Sequence, residues 1–340
     1  MTSLTKISMA LLCSISFIFA DDLSPTQEKS SSADILYNTI SEKVLDWSSL
    51  LDTRLSTWMG FDDNDTLCVS NDITQEDLSR VDTFFQNDRY LNETKDIYVR
   101  LRLNTYWYSQ ESNKINARLS AQLPFNKCKK QWKLFLHDII TKQSEIQRTD
   151  GFSGGVGIRY DREEKFGINA SYSVGLRNSS PYFGARYTLP LHYGTWKIEP
   201  VQTFKYSTKY YFEEETNLYL DNLFNRADLF RIQLHRKSAS TTKGTDYGLI
   251  LQYYKNLGKN AGWELTQSFF GNTHYNHFYE NDENYNGINN YVTSVSWREN
   301  VWKKWFYYEI RPSVNFHKDH NYRPSYSIHF LVDFYFGKYN

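Results

Sequence analysis

The sequence lacks the features that identify several common classes of protein. Its 340 residues contain 39 basic and 39 acidic side chains, so bulk charge gives no case for a nucleic-acid partner. Beyond the N-terminus, no window approaches eighteen consecutive apolar residues, the minimum for a transmembrane helix. A membrane protein built from such helices is therefore excluded. The mature chain is either soluble or crosses a membrane as strands.

Cysteine is also scarce, with three residues in the chain. Cys13 lies inside the N-terminal apolar stretch, and Cys68 and Cys128 remain if that stretch is removed. In an oxidising compartment these two can form one disulfide, or they can stay two unpaired small apolar side chains. Both alternatives remain open, because a sequence does not show whether two residues lie near each other.

The first twenty residues predict a secretory signal peptide. Lys6 supplies a positive charge, residues 7–20 an apolar stretch, and Ala20 a small residue before an acidic pair. This order is typical of a cleavable signal, and the apolar stretch is short for a membrane-spanning helix. We expect residues 1–20 to be removed and the mature chain to leave the cytoplasm.

From Ile97 onward, the chain consists of short segments in which apolar and polar residues alternate. In 97–108 the odd positions are mostly apolar, whereas the even positions are charged or polar and include Arg100 and Arg102. A period of two is typical of a β-strand whose two faces meet different surroundings. Fourteen such segments are predicted, at 97–108, 113–124, 131–141, 152–161, 165–177, 182–190, 195–207, 209–220, 228–238, 245–255, 262–274, 288–299, 304–317 and 324–336.

Two architectures compete for these segments. A soluble sandwich buries the apolar face of each sheet, whereas a membrane barrel turns that face to lipid and encloses a polar lumen. The segments approach the roughly 9–11 residues that a tilted transmembrane strand needs, while ordinary strands average about five or six. The sequence therefore predicts an all-β protein: a transmembrane antiparallel up-and-down barrel of about 14 strands over residues 97–336, with 12 or 16 strands as alternatives.

Tryptophans near the segment ends support the barrel. On the apolar faces they fit an aromatic girdle at the two bilayer interfaces, where amphipathic rings are enriched. We call these residues the tryptophan girdle; they are Trp107, Trp132, Trp196, Trp263, Trp297 and Trp302.

The opposite faces carry too many charges for the dry core of a soluble sandwich. In a barrel they meet water inside the wall. These lumen-facing charges are predicted to be Arg100, Arg102, Arg118, Arg159, Arg177, Arg186, Glu199, Glu213, Glu215, Arg231, Glu309, Arg311 and Asp333.

The pattern resembles that of Gram-negative outer-membrane β-barrel proteins, and the aromatic-rich last segment, Tyr326–Phe336, adds to the resemblance. The chain is also similar to uncharacterised outer-membrane barrels with an N-terminal periplasmic helix. The resemblance implies a location in the outer membrane, lipid contact, insertion by the barrel-insertion machinery and a periplasmic N-terminal segment. It leaves 337–340 as a C-terminal tail and carries over no catalytic residue.

Residues 21–96 are expected to form this partly helical periplasmic segment. In 33–59, apolar residues recur at roughly helical spacing, which predicts a helix that ends near Gly60. A second, short helix is expected near 75–85. The apolar stripe of the longer helix implies contact with another surface. It can plug the barrel mouth, self-associate or bind a periplasmic partner.

Motifs that suggest chemistry are weak. Residues 151–155 match G-x-S-x-G, but a strand pattern follows where an esterase needs a helix. The pairs His274/His277 and His317/His320 lie in or beside predicted loops, without the helical spacing that makes zinc motifs specific. We expect no bound metal, no cofactor and no enzymatic activity. A lipid hydrolase would need a Ser–His pair facing lipid or a metal in the loops.

The lumen-facing charges leave two functions open. Arg100 and Arg102, on the first strand, are expected near Asp333 on the last strand, beside Glu309 and Arg311. Such charges can line a water-filled pore for small polar solutes or ions. They can equally form a salt-bridged mesh that closes a structural or interaction barrel, because the lumen width is not evident from the sequence.

Overall fold

A computed structural model describes residues 32–59, 80–85, 97–110, 112–125, 131–138, 154–163, 167–225, 227–258, 260–276, 284–301 and 303–337. The expected signal peptide, Cys68 and Cys128 lie outside these ranges, so those expectations stay predictions. The chain divides into two compact units, Met1–Thr39 and Ile40–Asn340. In the first unit, the described residues are the opening turns of a helix. The second contains the rest of that helix, a shorter helix and all the strands.

The described elements match the predicted segments closely. The helices are α1, Ser32–Met59, and α2, Arg80–Phe85. The strands are β1 Tyr98–Tyr108, β2 Lys114–Pro124, β3 Trp132–Asp138, β4 Gly154–Glu163, β5 Asn169–Arg177, β6 Ser180–Thr188, β7 Leu191–Tyr193, β8 Trp196–Ser207, β9 Tyr211–Leu223, β10 Asp228–Ala239, β11 Thr245–Asn256, β12 Ala261–Asn276, β13 Asn284–Glu299, β14 Phe306–His317 and β15 Pro324–Gly337. Each of the fourteen predicted segments overlaps one long strand.

The strands form a closed antiparallel barrel. Each barrel strand pairs with its neighbours in the chain, and β1 pairs with β15 from Tyr98↔Gly337 to Tyr108↔Ser327. An even number of strands lets the first and last meet antiparallel. We call the end at which β1 begins and β15 ends the termini end, and the other the far end.

The short strand β7 is a continuation of β6 and not a fifteenth member of the barrel. Both pair with β8 in one register, from Thr188↔Val201 to Leu191↔Ile198. Pro190 lies between them and has no N–H to donate, so the ladder is interrupted there. Fourteen strands therefore close the barrel, and the predicted number is confirmed.

The barrel has its apolar side chains outside and its charges inside. On β1, Arg100, Arg102 and Asn104 are buried, whereas the intervening Leu103 is 42% exposed. Other large apolar residues exposed on the strands are Ile115, Leu119, Val156, Val174, Phe183, Leu234, Leu265, Val295, Ile310 and Ile328. An apolar outer band with a polar interior is the pattern of a transmembrane barrel.

Helix α2 lies inside the barrel at the termini end. Its Val81, Phe84 and Phe85 are buried in one apolar cluster with Leu229, Tyr254, Tyr307 and Tyr335, which sit at the termini ends of their strands. A Cβ on Gly262 would come within 2.9 Å of Phe84 and 3.0 Å of Phe85. The wall therefore needs a glycine where these rings approach it.

Helix α1, predicted at 33–59, is confirmed as a helix of 28 residues. From Ile40 onward it buries Ser41, Ser48 and Asp52, while Trp47 is 68% exposed. The Gly337 N–H at the end of β15 donates to the Ser41 hydroxyl over 3.4 Å. Neither described helix is both long and apolar enough to span a bilayer.

Candidate functional site: the charged lumen

The structure buries or half-buries all thirteen predicted lumen-facing charges. Those that are buried are Arg100, Arg102, Glu199, Glu213, Arg231, Glu309 and Asp333. Those that are half-buried are Arg118, Arg159, Arg177, Arg186, Glu215 and Arg311. Burying so many ions requires partners, and the contacts of each group show where those partners come from.

Asp333 is the centre of the largest network. The Nε and Nη2 atoms of Arg102 donate to its two carboxylate oxygens over 2.7 and 2.8 Å. Arg298 Nη1 and the Tyr335 hydroxyl donate to Oδ2 over 3.1 and 3.2 Å. The carboxylate is fully buried. Four charge-assisted or hydroxyl donors therefore compensate for the loss of its hydration.

Arg298 links this network to α2 and to the next strand. It donates to Glu309 over 3.4 Å and, through Nε, to the carbonyl oxygen of Phe84 over 3.2 Å. Glu309 also accepts from Arg311 over 2.5 Å, and Arg311 lies 3.5 Å from Glu264. The ion pairs thus continue across β12 to β15 and reach the main chain of α2.

A second ion pair holds α2 in the barrel. Arg231 donates to Asp221 over 2.7 and 2.9 Å, and its Nη2 also reaches both oxygens of Asp82 at 3.0 and 3.1 Å. Arg231 is 2% exposed and its guanidinium lies 5.8 Å from the ring of Tyr219 and 5.8 Å from that of Tyr254. Because Asp82 belongs to α2, one carboxylate from outside the sheet helps neutralise a buried wall arginine.

The inner wall has a basic half and a half richer in acids. Strands β1 to β6 contribute Arg100, Arg102, Arg118, Lys133, Arg159, Arg177 and Arg186. Among their described inward-facing side chains, Asp161, paired with Lys133 at 2.9 Å, is the one carboxylate. Strands β8 to β15 contribute the acids Glu199, Glu213, Glu215, Asp221, Glu264, Glu309 and Asp333, together with the cations Lys205, Arg231, Arg298 and Arg311. A charged solute in the lumen would therefore meet a transverse field.

The part of the far end formed by β1, β2, β14 and β15 uses neutral groups, whereas on the opposite wall Arg177 pairs with Glu213 at 2.5 Å. Asn104 donates to Asn116 over 2.8 Å and its amide oxygen lies 3.0 Å from Nε2 of His329. The His329 ring stacks on Tyr106 with centroids 4.1 Å apart. Ser327 pairs with Ser313 at 2.7 Å. Ser327 and His329 therefore have different partners and do not form a nucleophile–base pair in this arrangement.

The tryptophan girdle lies mainly at the termini end. Trp132, Trp196, Trp263 and Trp297 lie at or near that end of their strands, and Trp107 lies near the far end of β1. Trp263 is opposite Trp297 across β12 and β13, and the Trp132 ring contacts Tyr160 at 4.7 Å. Trp302 lies outside the described residues.

The weak chemical motifs gain no metal site within the described residues. No three His, Cys, Asp or Glu side chains gather there to hold an ion. His317 Nδ1 accepts from the Asp319 N–H over 3.1 Å, as a cap of the turn at Lys318–His320. His277 and Ser153 lie outside the described ranges. Gly154 and Gly155 begin β4, where the motif would need a helix.

Several important lumen residues were missing from the predicted set. Arg298 and Glu264 directly follow girdle residues Trp297 and Trp263, so strand alternation alone places them inward. Asp221 was missed because its predicted segment ended at 220. No alternation signal marks Asp82, since it lies on a helix.

No protein-family model matches the chain, and no curated protein sequence matches it. Similar solved structures are outer-membrane barrels. The NanC porin aligns with 69% of this chain and 98% of its own, at 8% identity and a TM-score of 0.36. Outer-membrane-expressed OmpT of Vibrio cholerae aligns with 71% and 97%, at 7% and 0.44. An anion-selective porin from Comamonas acidovorans aligns with 71% and 98%, at 8% and 0.44. At TM-scores below 0.5 these likenesses add nothing further about this chain, whose closed barrel follows from its own strand pairing.

Proposed function

We propose that this protein is an outer-membrane pore for small polar solutes or ions, plugged at its termini end by α2. One observation carries the proposal: two of the aromatic rings buried in the apolar cluster at the termini end, Phe84 and Phe85, come from α2 and not from a strand. The wall around them presents charged and hydrogen-bonding side chains. With α2 withdrawn, the described wall would enclose a polar passage, which is what conduction of ions requires.

The orientation we propose puts the termini end in the periplasm. Two observations support it. The longest connection between barrel strands, residues 139–153, joins β3 to β4 at the far end, and long loops of outer-membrane barrels face outside. The termini end also carries α2, which lies in the segment expected to stay in the periplasm. Insertion by the barrel machinery would then read the aromatic outward face of β15.

Single-channel recording in planar bilayers tests the pore. We expect brief, rare openings for the wild type and much longer openings for the double variant Phe84→Ala/Phe85→Ala, because each Phe→Ala change removes about 3–5 kcal/mol of buried packing. Phe183→Ala is the matched control, since this ring lies on the outer face and is 54% exposed. Heat-modifiable gel mobility shows that each variant has folded.

The rival function is a structural barrel with a closed lumen. The four donors that converge on Asp333 favour it, because a saturated ion network holds the wall together without conducting. The same recordings decide between the two. If folded wild type and the double plug variant are both silent, the pore proposal is wrong and the closed barrel stands. Lipid hydrolysis by the purified protein, with and without a chelator, tests the less favoured enzyme.

A further inference from the structure

Arg100 differs from the other arginines at the termini end in its hydrogen bonding. It is 8% exposed and lies between Tyr335 of β15 and Ser120 of β2 in the sheet register. Its Nε and Nη1 atoms are buried and make no hydrogen bond with any described residue. Arg102, Arg231, and Arg298 each contact at least one carboxylate. Arg100 is thus a buried cation in which two of the three guanidinium nitrogens have no hydrogen-bond acceptor among the described side chains.

The carboxylates of this region have little capacity left for it. The Arg100 charge acts on Asp333, but that carboxylate already accepts from Arg102, Arg298 and Tyr335. An ionised carboxylate offers about four lone-pair positions, and four donors use them. Glu309 is shared between Arg298 and Arg311.

The neighbouring wall adds further positive charge. Arg118 on β2 is the register partner of Arg102, and Ser120, beside Arg100, is 4% exposed and offers a hydroxyl. An unpaired guanidinium in a dry wall is costly, and the cost falls when an anion with oxygen acceptors reaches it. Guanidinium groups match the geometry of carboxylate and phosphate oxygens.

We propose that Arg100, with Ser120 beside it, is a binding site in the lumen for the oxyanion group of a small solute, a carboxylate or a phosphate. The inference rests on the proposed pore, because the solute would reach Arg100 through the lumen. It deepens that proposal by naming the class of solute that the pore selects.

Equilibrium binding to the detergent-solubilised, folded barrel tests the site without requiring conduction. Isothermal titration uses inorganic phosphate and acetate, each against chloride at constant ionic strength. We expect both oxyanions to bind the wild type better than chloride. Arg100→Gln should weaken binding about tenfold, which corresponds to about 1.4 kcal/mol. Arg100→Lys keeps the charge and should keep part of the affinity.

The matched control is Arg236→Gln. Arg236 lies on β10, its side chain is 55% exposed, and it pairs with Glu214 at 3.5 Å. We expect its oxyanion affinity to equal that of the wild type. Gel mobility reports whether Arg100→Gln folds. If it does not, two measurements still test the site: the affinity of Arg100→Lys compared with the wild type, and the preference of the wild type for oxyanions over chloride.

The outcomes separate the site from the pore. Binding that depends on Arg100 in a protein that never conducts supports the site and overturns the pore. The site is overturned and the pore stands if the protein conducts but binds phosphate and acetate no better than chloride. The same conclusion follows if it conducts and Arg100→Gln binds the two oxyanions as tightly as the wild type. The relative strength of acetate and phosphate binding identifies which oxyanion the site prefers.

Discussion

Two regions of the lumen stabilise their buried polar side chains with different groups: the termini end, and the part of the far end formed by β1, β2, β14 and β15. At the termini end, buried ions such as Arg298 and Asp333 are fully enclosed and paired, and the rings of α2 exclude water from them. In the second region, Asn104, His329 and Ser327 use neutral hydrogen bonds. Burying a neutral polar group costs less free energy than burying an ion, so an enclosed ion needs a partner of opposite charge. The comparison indicates that charge pairing matters most at the termini end, where α2 covers the ions.

Disrupting the ion network at the termini end should have the largest effect on stability. Asp333→Asn keeps the shape of the side chain but leaves Arg102 and Arg298 buried without their shared counter-charge. We expect a loss of about 3–5 kcal/mol in the free energy of unfolding, measured by urea titration of the refolded barrel. Asp228→Asn is the control, because its partner Lys255 is 41% exposed at 3.6 Å. Equal losses for both variants would contradict the distinction between enclosed and exposed ions.

A charge on the outer face tests whether that face meets lipid along the barrel between the two ends. Leu103→Arg, at the middle of β1, should destabilise the barrel in bilayers by about 2–4 kcal/mol. Val99→Arg, near the end of the same strand, should cost about 0–1 kcal/mol because it lies close to the interface. Refolding into lipid vesicles measures both. A cost that did not depend on depth would contradict the assignment of this face to lipid.

Disrupting the neutral cluster around Asn104 should lower the free energy of unfolding by less. Asn104→Ala removes hydrogen bonds to Asn116 and His329, and we expect about 1 kcal/mol for neutral groups. Urea titration as for Asp333→Asn gives the comparison directly. Asn116→Ala, which removes one of the same contacts, is the natural second variant. A loss as large as that of Asp333→Asn would show that this neutral cluster is as enclosed as the ions around Asp333.

The smallest effect on stability is expected at a solvent-exposed ion pair. Arg236→Gln breaks the contact with Glu214 at 3.5 Å, where both side chains are partly exposed. Exposed pairs contribute roughly 0.2–1 kcal/mol, and the contribution should shrink at high salt. Urea titrations at low and high salt measure it. A salt-independent loss of several kcal/mol would place Arg236 with the enclosed ions.

The sequence predicted the barrel well because strand alternation is local. The segment 97–108 by itself assigns Leu103 to one face and Arg102 to the other, and repeating this along the chain gives fourteen strands. The contact of Arg102 with Asp333, 231 residues away, was expected only because closure brings the first strand beside the last. The sequence contains no comparable signal for the position of α2 inside the barrel. It follows from Asp82 meeting Arg231 and from rings meeting Gly262.

By itself, the sequence determined which side chains face lipid and which face inward, since a period of two leaves no other choice once the strands are in register. The tertiary structure alone decided which inward charges are satisfied. Closure and stagger of the barrel bring three donor side chains to Asp333. They leave Nε and Nη1 of Arg100 without an acceptor among the described residues. Charge pairing depends on distances across the lumen, and those distances are set by the whole wall at once.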